Sequence, residues 1–447
     1  MTDRQLAGAG PGAWSLTPSG GYRAIGVILV ALGILLGRPD LSVLGLPMLL
    51  SLVWAVARPP SAVPDVRAGE LVSDPWVLGR LTQQLEIEPV PGVETMRVRV
   101  SAAGFSPAEA MIDVSSPRTL EFAATTVRTG RQRLFAIDHS ALGQDGVCGT
   151  DPESLGPTHT LLLPRPVWLQ ELPLPFQLQG LTGSHGSRRP GEGGDLRDVA
   201  LFAPGDRLRR IDWKASARLG GSTGAGQQLY VRRTFATADA HVMLVVDPYD
   251  VVGPDVSTWA GGRVRPDHLS SLDIARQAAV SLARVWIEQG DRVGLVDLGR
   301  RGRIFLPAGG RRQLQRLTHH IALAEAGGEA APHRRAPQIP SGAMVVLFSS
   351  FLDNDPADLA RMWRHNGHRV LAVDVLPRLI GVHLKPHTAL AHRMLMMERE
   401  DRLALLALSG VDVVRWHQGE RGSGAQAPVA SLTALARVRR RPGDRRL

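Results

Sequence analysis

The sequence contains few of the residues on which several classes of protein depend. Cys148 is its only cysteine, so an internal disulfide and a thiolate metal cluster are excluded, and a reducing compartment fits best. Aromatic residues make up 5% of the chain and are not interleaved with the arginines, as stacking platforms for nucleic acid would require. The only lysines are Lys214 and Lys385, so the positive charge is almost entirely arginine. We therefore expect no nucleic acid among the partners.

Length and charge set broad limits. A chain of 447 residues exceeds what one core usually fills, so two or three domains are expected. Its formal net charge of +10 favours contact with anionic lipid or nucleic acid. A nucleic-acid-binding protein therefore stays an alternative, which a steep salt dependence of affinity for DNA or RNA would reveal.

Two apolar runs near the start, 24–37 and 41–57, predict a transmembrane helical hairpin over 22–58. Each is slightly shorter than the roughly 20 residues of a standard span, but they are separated only by a short turn. A signal peptide is the alternative for the first run, although its end lacks a small-x-small cleavage site and a second apolar run follows at once. Arginines outside the hairpin outnumber the one in its turn, which predicts that both ends are cytoplasmic. They are Arg4, Arg23, Arg58 and Arg67.

After a proline-broken linker, short runs that alternate apolar and polar residues predict a β-sandwich domain over 80–185. Met96, Val98 and Val100 alternate with polar residues, and Leu120 and Phe122 share one face, as half-buried strands require. Pro-Gly and Ser-Pro breaks separate the runs, which is typical of a small sandwich. No catalytic arrangement is evident in it.

From residue 236 to 440, apolar strand-like runs alternate with helical periods, which predicts an α/β doubly wound, mainly parallel sheet. Ser270 and Asp273 form a capping-box pattern that opens a helix, and Gly290 ends it. The predicted strands are 241–247, 291–299, 303–307, 343–350, 369–375 and 411–416, and the later helices lie near 313–324, 356–366, 391–408 and 428–440. A methionine stripe at 392–401 is expected to pack in the core.

Between these domains, residues 186–235 contain the run GDLRDVALFAPGDRLRRIDWKASAR, which carries a family resemblance. It resembles the signature of the bacterial family known as domain of unknown function fifty-eight. Ile211 and Ala217 match this signature. The other matching positions are our candidate binding residues: Asp195, Arg197, Gly205, Asp206, Arg210, Asp212, Trp213, Ser216 and Arg218.

The resemblance extends to the later domain, whose strand ending in Asp, long helix and run DRVGLVDLG resemble a von Willebrand factor A domain. Members of the family are commonly paired with MoxR-type AAA+ ATPases, which implies an adaptor rather than an enzyme. An enzyme acting on cell-envelope material is the alternative. It would need a nucleophile and a base converging at the strand ends, and the sequence shows no such spacing.

The residues of the signature predict a compact turn and a set of ion pairs. Pro204 and Gly205 suit the centre of a type II turn, and Asp206 can accept backbone hydrogen bonds beyond it. We expect Arg210 and Arg218 to pair with Asp206 and Asp212, with the Trp213 ring buried beside them. Three interpretations stay open: a salt-bridged connector, a docking surface for a partner, and a catalytic site. The last lacks a histidine between 186 and 240.

The von Willebrand factor A resemblance also implies a metal site, and the matching positions argue against it. The adhesion-site version of that fold ends its first strand in Asp-x-Ser-x-Ser, whose oxygens hold Mg²⁺. In this sequence Asp247 is followed by Tyr249 and Val251 in the serine positions, and Ser350 stands at the later strand end. We therefore expect a degenerate site, no metal and no cofactor. Asp250 is a partial substitute for a lost ligand.

The sequence thus predicts a membrane-anchored, cytoplasm-facing adaptor that acts through protein contacts. Its expected partners are a MoxR-type AAA+ ATPase and, through the hairpin, membrane lipid. The hairpin is preceded by an N-terminal tail, 1–21, and the chain ends in a basic tail, 441–447.

Overall fold

The structure is a computed structural model of the whole chain. It describes residues 14–437, except 75, 78, 104, 180–182, 220–227, 262–263, 266, 300–303, 327–335, 381–383, 419–424 and 427. The predicted basic tail and most of the predicted N-terminal tail lie outside the described residues. The chain divides into two compact units. The first comprises Met1–Val127 and Gln132–Thr160, and the second comprises Arg128–Arg131 and Leu161–Leu447.

The first unit begins with two apolar helices, α1 (Pro18–Leu35) and α2 (Pro39–Ala57). Both are long and apolar enough to cross a membrane, with mean hydropathies of 1.5 and 1.8. Gly26 and Gly45 lie where the helices cross, and a Cβ added to Gly26 would stand 2.9 Å from the carbonyl oxygen of Gly45. Glycine at these two positions therefore lets the backbones approach closely. The two helices occupy the positions predicted for the hairpin, and both the membrane-spanning role and the orientation stay predictions.

One short strand precedes the helices and the others follow them. They are β1 (Ser15–Leu16), β2 (Val66–Ala68), β3 (Val72–Ser73), β4 (Arg80–Ile87), β5 (Val93–Ser101), β6 (Ala108–Asp113), β7 (Arg118–Thr125), β8 (Gly130–Arg133), β9 (Ala136–Gly143), β10 (Cys148–Gly149), β11 (Glu153–Leu155) and β12 (His159–Leu162). One antiparallel sheet has the order β1-β10-β9-β5-β6, with β11 also on β9. In a second sheet, β4 pairs with β7 on one edge and with β2 and β3 on the other.

Alternation of side chains along these strands builds one core between the two sheets. Leu85 and Ile87 of β4 meet Met96 and Val98 of β5 in a single buried cluster. Phe122 packs edge-on against Phe135, with ring centroids 4.8 Å apart. The period-two pattern of the sequence therefore identified the strand faces correctly, because each face of an antiparallel sheet collects every second residue.

The second unit opens with a two-stranded antiparallel ribbon and continues as an alternation of strands and helices. Its strands are β13 (His185–Leu201), β14 (Tyr230–Ala238), β15 (His241–Val246), β16 (Arg292–Asp297), β17 (Ile304–Ala308), β18 (Met344–Ser349), β19 (Val370–Asp374), β20 (Asp412–Arg415), β21 (His417–Gln418) and β22 (Ala425–Gln426). Its helices are α3 (Trp213–Leu219), α4 (Ser271–Glu288), α5 (Arg311–Ala322), α6 (Asp355–His365), α7 (Pro386–Leu408) and α8 (Val429–Arg437).

Six strands form the central sheet, in the order β17-β16-β15-β18-β19-β20. All neighbours are parallel except β17, which is antiparallel to β16 at the edge. One face packs against side chains of α4, α5 and α8, and the other packs against α6 and α7. Strands such as β15 are buried on both sides, which explains their continuous apolar runs. The predicted mainly parallel α/β sheet is therefore present.

Helix α4 begins with the predicted capping box. The Ser270 hydroxyl accepts from the backbone N–H of Asp273, and the Asp273 carboxylate accepts from the backbone N–H of Ser270. Asp273 is fully buried, which raises the pKa of its carboxyl, but the nearby Arg128 and Arg276 outweigh burial and hold that pKa below its usual range. Thr129 also donates its backbone N–H to Asp273 at 2.8 Å. Residues of Arg128–Arg131 thus complete the buried start of α4.

The observed bounds of the elements differ from the predicted ones by a few residues. The expected core packing of the methionine stripe was wrong. Helix α7 starts at Pro386, ahead of the predicted start near 391. Its methionine stripe does not pack in the core, since Met394 is 56% and Met397 is 63% exposed. Only Arg399, Leu403 and Leu406 of this helix are buried. The predicted domain boundaries are not tested by the division into two units and stay predictions.

Candidate functional site

We call residues 194–218 the signature segment. It starts on β13, and a tight turn follows that strand. The Asp206 backbone N–H donates to the Ala203 carbonyl at 3.0 Å, and the Asp206 carboxylate accepts from the Ala203 N–H at 2.9 Å. Gly205 has a φ of 101°, which a side chain would strain. Pro204 and Gly205 therefore occupy the centre of the turn as predicted, and Asp206 locks it from outside.

Asp212 is the N-terminal cap of α3. Its carboxylate accepts from the Ala215 backbone N–H at 3.0 Å and from Arg232 Nε at 2.8 Å. The hydrogen bond from Ala215, and then that from Arg232, lower the pKa of the Asp212 carboxyl. An Asp at this position satisfies a helix N–H that has no partner within the helix. The aspartate of the Ile-Asp-Trp run is thus a cap and an ion-pair partner at once.

Ser216 fastens the same short helix to β14. Its hydroxyl accepts from the Tyr230 backbone N–H at 2.8 Å, while the Asp212 backbone N–H donates to the Tyr230 carbonyl at 2.8 Å. Ile211, just before the cap, is buried and forms an isolated bridge with Val231. The spacing Ile-Asp-x-x-x-Ser therefore reflects one turn of helix held against one strand.

A glutamate outside the matched positions gathers three arginines of the segment. The carboxylate of Glu192 lies 2.6 Å from Arg207, 3.4 Å from Arg209 and 3.3 Å from Arg210. Glu192 is on β13, on the far side of the turn. These groups are mostly exposed, so the cluster fixes geometry more than it adds stability.

The expected ion pairs of the signature were assigned to the wrong partners. Asp212 pairs with Arg232, and Asp206 lies 3.5 Å from Arg233, both on β14. Arg210 pairs with Glu192 instead of with either aspartate. The partners come from β13 and β14, because the segment after the turn folds back on β14, where Ile211 forms a bridge with Val231 and the Asp212 N–H donates to the Tyr230 carbonyl.

The remaining matched positions lie apart from that cluster. Arg197 pairs with its neighbour Asp198 at 3.3 Å, and Asp195 is exposed on β13. Arg218 is exposed in the last turn of α3. The structure therefore brings together Asp206, Arg210, Asp212 and Ser216 around the turn and the short helix, and leaves these three outside. Glu192, Arg232 and Arg233 were missed, and no short-range pattern points to them.

Trp213 does not bury its ring, contrary to expectation. Its side chain is 68% exposed, and Leu208 in the short 3₁₀ turn before it is 70% exposed. The cap on Asp212 and the bonds of Ser216 hold the backbone of α3, and the first residue of that helix is left facing outward. Two large apolar side chains are thus displayed on a tied-down backbone.

A second candidate site lies at the carboxyl end of β15, where sheets of this kind bind ligands. Asp247 follows β15, and its carboxylate accepts from Ser349 Oγ at 2.7 Å and from the Tyr249 backbone N–H at 3.2 Å. Burial raises the pKa of the Asp247 carboxyl to about 7, although both hydrogen bonds oppose the shift. A carboxyl group that is close to half protonated near neutral pH therefore sits at the centre of this edge.

Two further acids stand beside Asp247. Burial, and then the neighbouring Asp353, raise the pKa of Asp250 to about 6, and burial likewise raises the pKa of Asp353. The Ser350 hydroxyl lies beside the buried Asp250 carboxyl and opposes the rise of its pKa. Arg402 is the nearby cation, but it donates to Asn354 and to the Phe351 carbonyl. We name Asp247, Asp250, Ser349, Ser350 and Asp353 the strand-end acid cluster.

The strand-end acid cluster departs at two positions from the metal cage that the von Willebrand factor A resemblance implies. The Tyr249 hydroxyl donates to the Leu298 carbonyl at 3.1 Å, and Val251 offers no side-chain oxygen. The Ser349 hydroxyl donates to Asp247. Among the residues that the structure describes, no three His, Cys, Asp or Glu side chains are placed to hold a metal ion. The expectation that the protein binds no metal stays a prediction for titration.

Comparison with protein-family models gives one match. The model described as Protein of unknown function DUF58 matches residues 198–379. Residues 198–379 are therefore a DUF58 region. A search of curated proteins finds no match to this chain.

The DUF58 match covers both candidate sites. It runs from β13 through the turn, α3 and β14 to the end of β19, and so contains Asp212 and Trp213 as well as Asp247 and Ser349. Two matched positions of the signature, Asp195 and Arg197, lie just before it. The resemblance inferred from the signature is therefore confirmed at the level of the family.

Proposed function

We propose that this DUF58 protein is a membrane-anchored adaptor that acts by protein–protein contact through the signature segment. The observation that carries the proposal is the exposure of Trp213 and Leu208 on a backbone held by Asp206, Asp212 and Ser216. Exposed aromatic and apolar side chains on an ordered surface are typical of the centre of an interface. Arg207 and Arg209 flank them and supply positive charge.

The proposed partner is a MoxR-type AAA+ ATPase, which the family resemblance suggests and whose docking face would be acidic and partly apolar. In this proposal the sheet domain is a von Willebrand factor A-like domain with a degenerate metal site, and the first unit is a β-sandwich. Tyr249 and Val251, which stand where serine ligands are expected, support the degenerate site. No specific observation favours the alternative of an enzyme acting on the cell envelope.

The proposed topology places both units in the cytoplasm, anchored by α1 and α2. It rests on the two apolar helices and on the arginines that flank them. Protease added to right-side-out cells should leave the chain after Arg58 intact and should digest it once the membrane is opened. Digestion in sealed cells would overturn the cytoplasmic assignment.

A pull-down from native membranes tests the adaptor role. Crosslinked full-length protein should recover an AAA+ ATPase, and Trp213→Ala should reduce that recovery by about tenfold or more, as loss of an interface hot spot does. Trp76→Ala is the matched control, because Trp76 is 92% exposed in the first unit. If no ATPase is recovered, or if both variants recover it as well as the parent, the proposal is wrong.

A further inference from the structure

Helix α7 carries an apolar stripe on the side away from the sheet. Its 23 residues make it about 34 Å long. At about 100° per residue, positions 390, 394, 397, 401, 405 and 408 fall within roughly 80° of one another. The apolar members are 53% to 84% exposed: Leu390, Met394, Met397, Leu405 and Leu408. We call these residues, with Asp401, the α7 stripe.

The buried face of α7 lies opposite the stripe. Leu403 and Leu406 pack into the core under α6, and Arg399 donates to the Ser350 carbonyl at 2.7 Å. These three contacts hold the C-terminal half of the helix, whereas no residue of its N-terminal half is buried. The stripe is therefore not needed to fasten α7 to the sheet, and its side chains are available for another molecule.

Shallow concavities flank the stripe on both sides. One, of about 580 Å³, is lined by residues that include His392, Met396 and Met397. The other, of about 290 Å³, includes Ala357, Arg402 and Leu405. Asp401 lines both, so it stands on the ridge between them. A ridge with a groove on each side, rich in methionine, suits an amphipathic helix laid alongside it.

The charge of the stripe decides among the occupants. Asp401 lies within it and Glu398 beside it, and neither forms an ion pair in the part of the chain that the structure describes. The neighbouring cation Arg361 is paired with Asp358, and Arg402 bonds to Asn354. An apolar strip with an acid in the middle is complementary to a partner whose apolar face carries one basic residue.

The same charges disfavour a second copy and a membrane. Two stripes paired antiparallel about their midpoint at position 399 would place Glu398 of one copy opposite Glu400 of the other, and would place Asp401 opposite Met397 with no basic partner. Parallel pairing would align identical charges. An anionic lipid surface is disfavoured as well, because Arg393 and Arg402 border the stripe together with three acids, whereas helices that lie on membranes carry mainly Lys and Arg on the polar face.

Because the stripe is apolar, exposed and has an acid at its centre, we propose that it is a docking site for an amphipathic helix of another protein. A Lys or Arg of that helix would contact Asp401. The signature segment is a separate surface, so this inference does not depend on the adaptor function proposed above.

Photocrosslinking in native membranes tests the proposal. A benzoylphenylalanine at Met394 of the full-length protein should crosslink to a second protein, and sequencing of the joined peptide should give a segment with apolar residues at helical spacing and a basic residue among them. The same probe at Met111, a 66% exposed methionine of the first unit, is the control. Crosslinks to lipid, to a second copy, or no crosslink above the control would each overturn the proposal.

Charge variants sharpen the test. Asp401→Arg should lower the yield of the Met394 crosslink at least about fivefold, because like charges at a contact oppose binding. Glu121→Arg, which changes an exposed acid of the first unit, should not. A synthetic peptide of the crosslinked segment should bind Asp401→Arg more tightly when its own basic residue is replaced by Glu. If Asp401→Arg gives the same yield of the Met394 crosslink as the parent, the proposed charge pairing is wrong, and the proposal with it.

Discussion

The signature segment and the strand-end acid cluster use aspartate in opposite ways. Asp212 lies near the surface, accepts from a helix N–H and from Arg232, and the pKa of its carboxyl is lowered. Asp247 is buried, accepts only from Ser349 and a backbone N–H, and its pKa is raised to about 7. The difference arises because a donor network favours the charged carboxylate, whereas burial without a cation favours the protonated acid.

The two regions therefore differ in what they contribute to the fold. The signature gains order from its charges, and its apolar residues Trp213 and Leu208 are displayed. The strand-end acid cluster lies in apolar surroundings that stabilise the fold, whereas ionisation of its buried carboxyl groups destabilises it. Substitutions should separate the two regions through the pH dependence of unfolding and through binding.

The largest effect should come from Asp247→Asn. The folded protein holds the Asp247 proton up to about pH 7, whereas an unfolded chain releases it near pH 4, so the folded state binds more protons in between. The stability contributed by protonated Asp247 is present below about pH 4 and is lost as the pH rises to about 7. The amide should remove this loss, raising the unfolding free energy at pH 8 by up to about 4 kcal/mol.

Urea unfolding of the parent and the variant at pH 4 and pH 8 measures this difference. The two proteins should differ little at pH 4 and most at pH 8. Asp212→Asn is the control, because the pKa of Asp212 is lowered and any stability that it contributes is lost only as the pH falls. A variant that is destabilised equally at both pH values would show that Asp247 is ionised in the folded protein.

Asp212→Ala should have a moderate effect. It removes the cap of α3 and leaves Arg232 without its carboxylate, so a melting temperature lower by about 2–4 °C is expected. Asp212→Asn should lose less, because an amide oxygen still accepts from the Ala215 N–H. Thermal melts of the three proteins decide the point. If Asp212→Ala melts like the parent yet no longer binds the partner, this aspartate serves docking alone.

Replacing Arg207 and Arg209 together with alanine should change stability least within the signature. Both side chains are more than half exposed, and their pairing with Glu192 is a surface interaction, so the melting temperature should shift by less than about 1 °C. Recovery of the AAA+ ATPase in the pull-down should fall if these charges face its acidic surface. Full recovery would exclude this edge of the segment from the interface.

Adding Mg²⁺ or Mn²⁺ should have almost no effect. Tyr249 and Val251 leave too few side-chain oxygens, and the Ser349 hydroxyl is bonded to Asp247. Calorimetric titration should show no binding at micromolar ion concentrations. Micromolar affinity that disappears in Asp247→Ala would mean that the strand-end acid cluster rebuilds a cage with Asp250 and Asp353.

The sequence predicted the elements whose signals are local. The strand before Asp247 is a run of buried residues, and the start of α4 carries its own capping box, so both were predicted close to their observed positions. The turn at Pro204 and Gly205 was predicted for the same reason, since only neighbouring residues define it.

What the sequence did not predict depends on residues far apart in the chain. The pairing of Asp212 with Arg232 follows from the bridge between Ile211 and Val231, which no short-range pattern encodes. The exposure of Trp213 depends on which side of α3 contacts β14, and that of Met394 depends on which side of α7 contacts the central sheet. Residue type alone favoured burial in both cases, since large apolar side chains usually are buried.

The contact between Arg128–Arg131 and the start of α4 affects which fragments of the chain can form a complete sheet domain. Arg128 and Thr129 complete the buried environment of Asp273 and belong to the second unit. In the sequence, however, they stand between the two segments of the first unit, and they are made well before α4. A fragment that starts at residue 161, or at the start of the family match, keeps every strand of the central sheet but leaves this carboxylate short of a cation. We therefore expect the sheet domain to be less stable when it is made without residues 128–131, which leave the ribosome before it does.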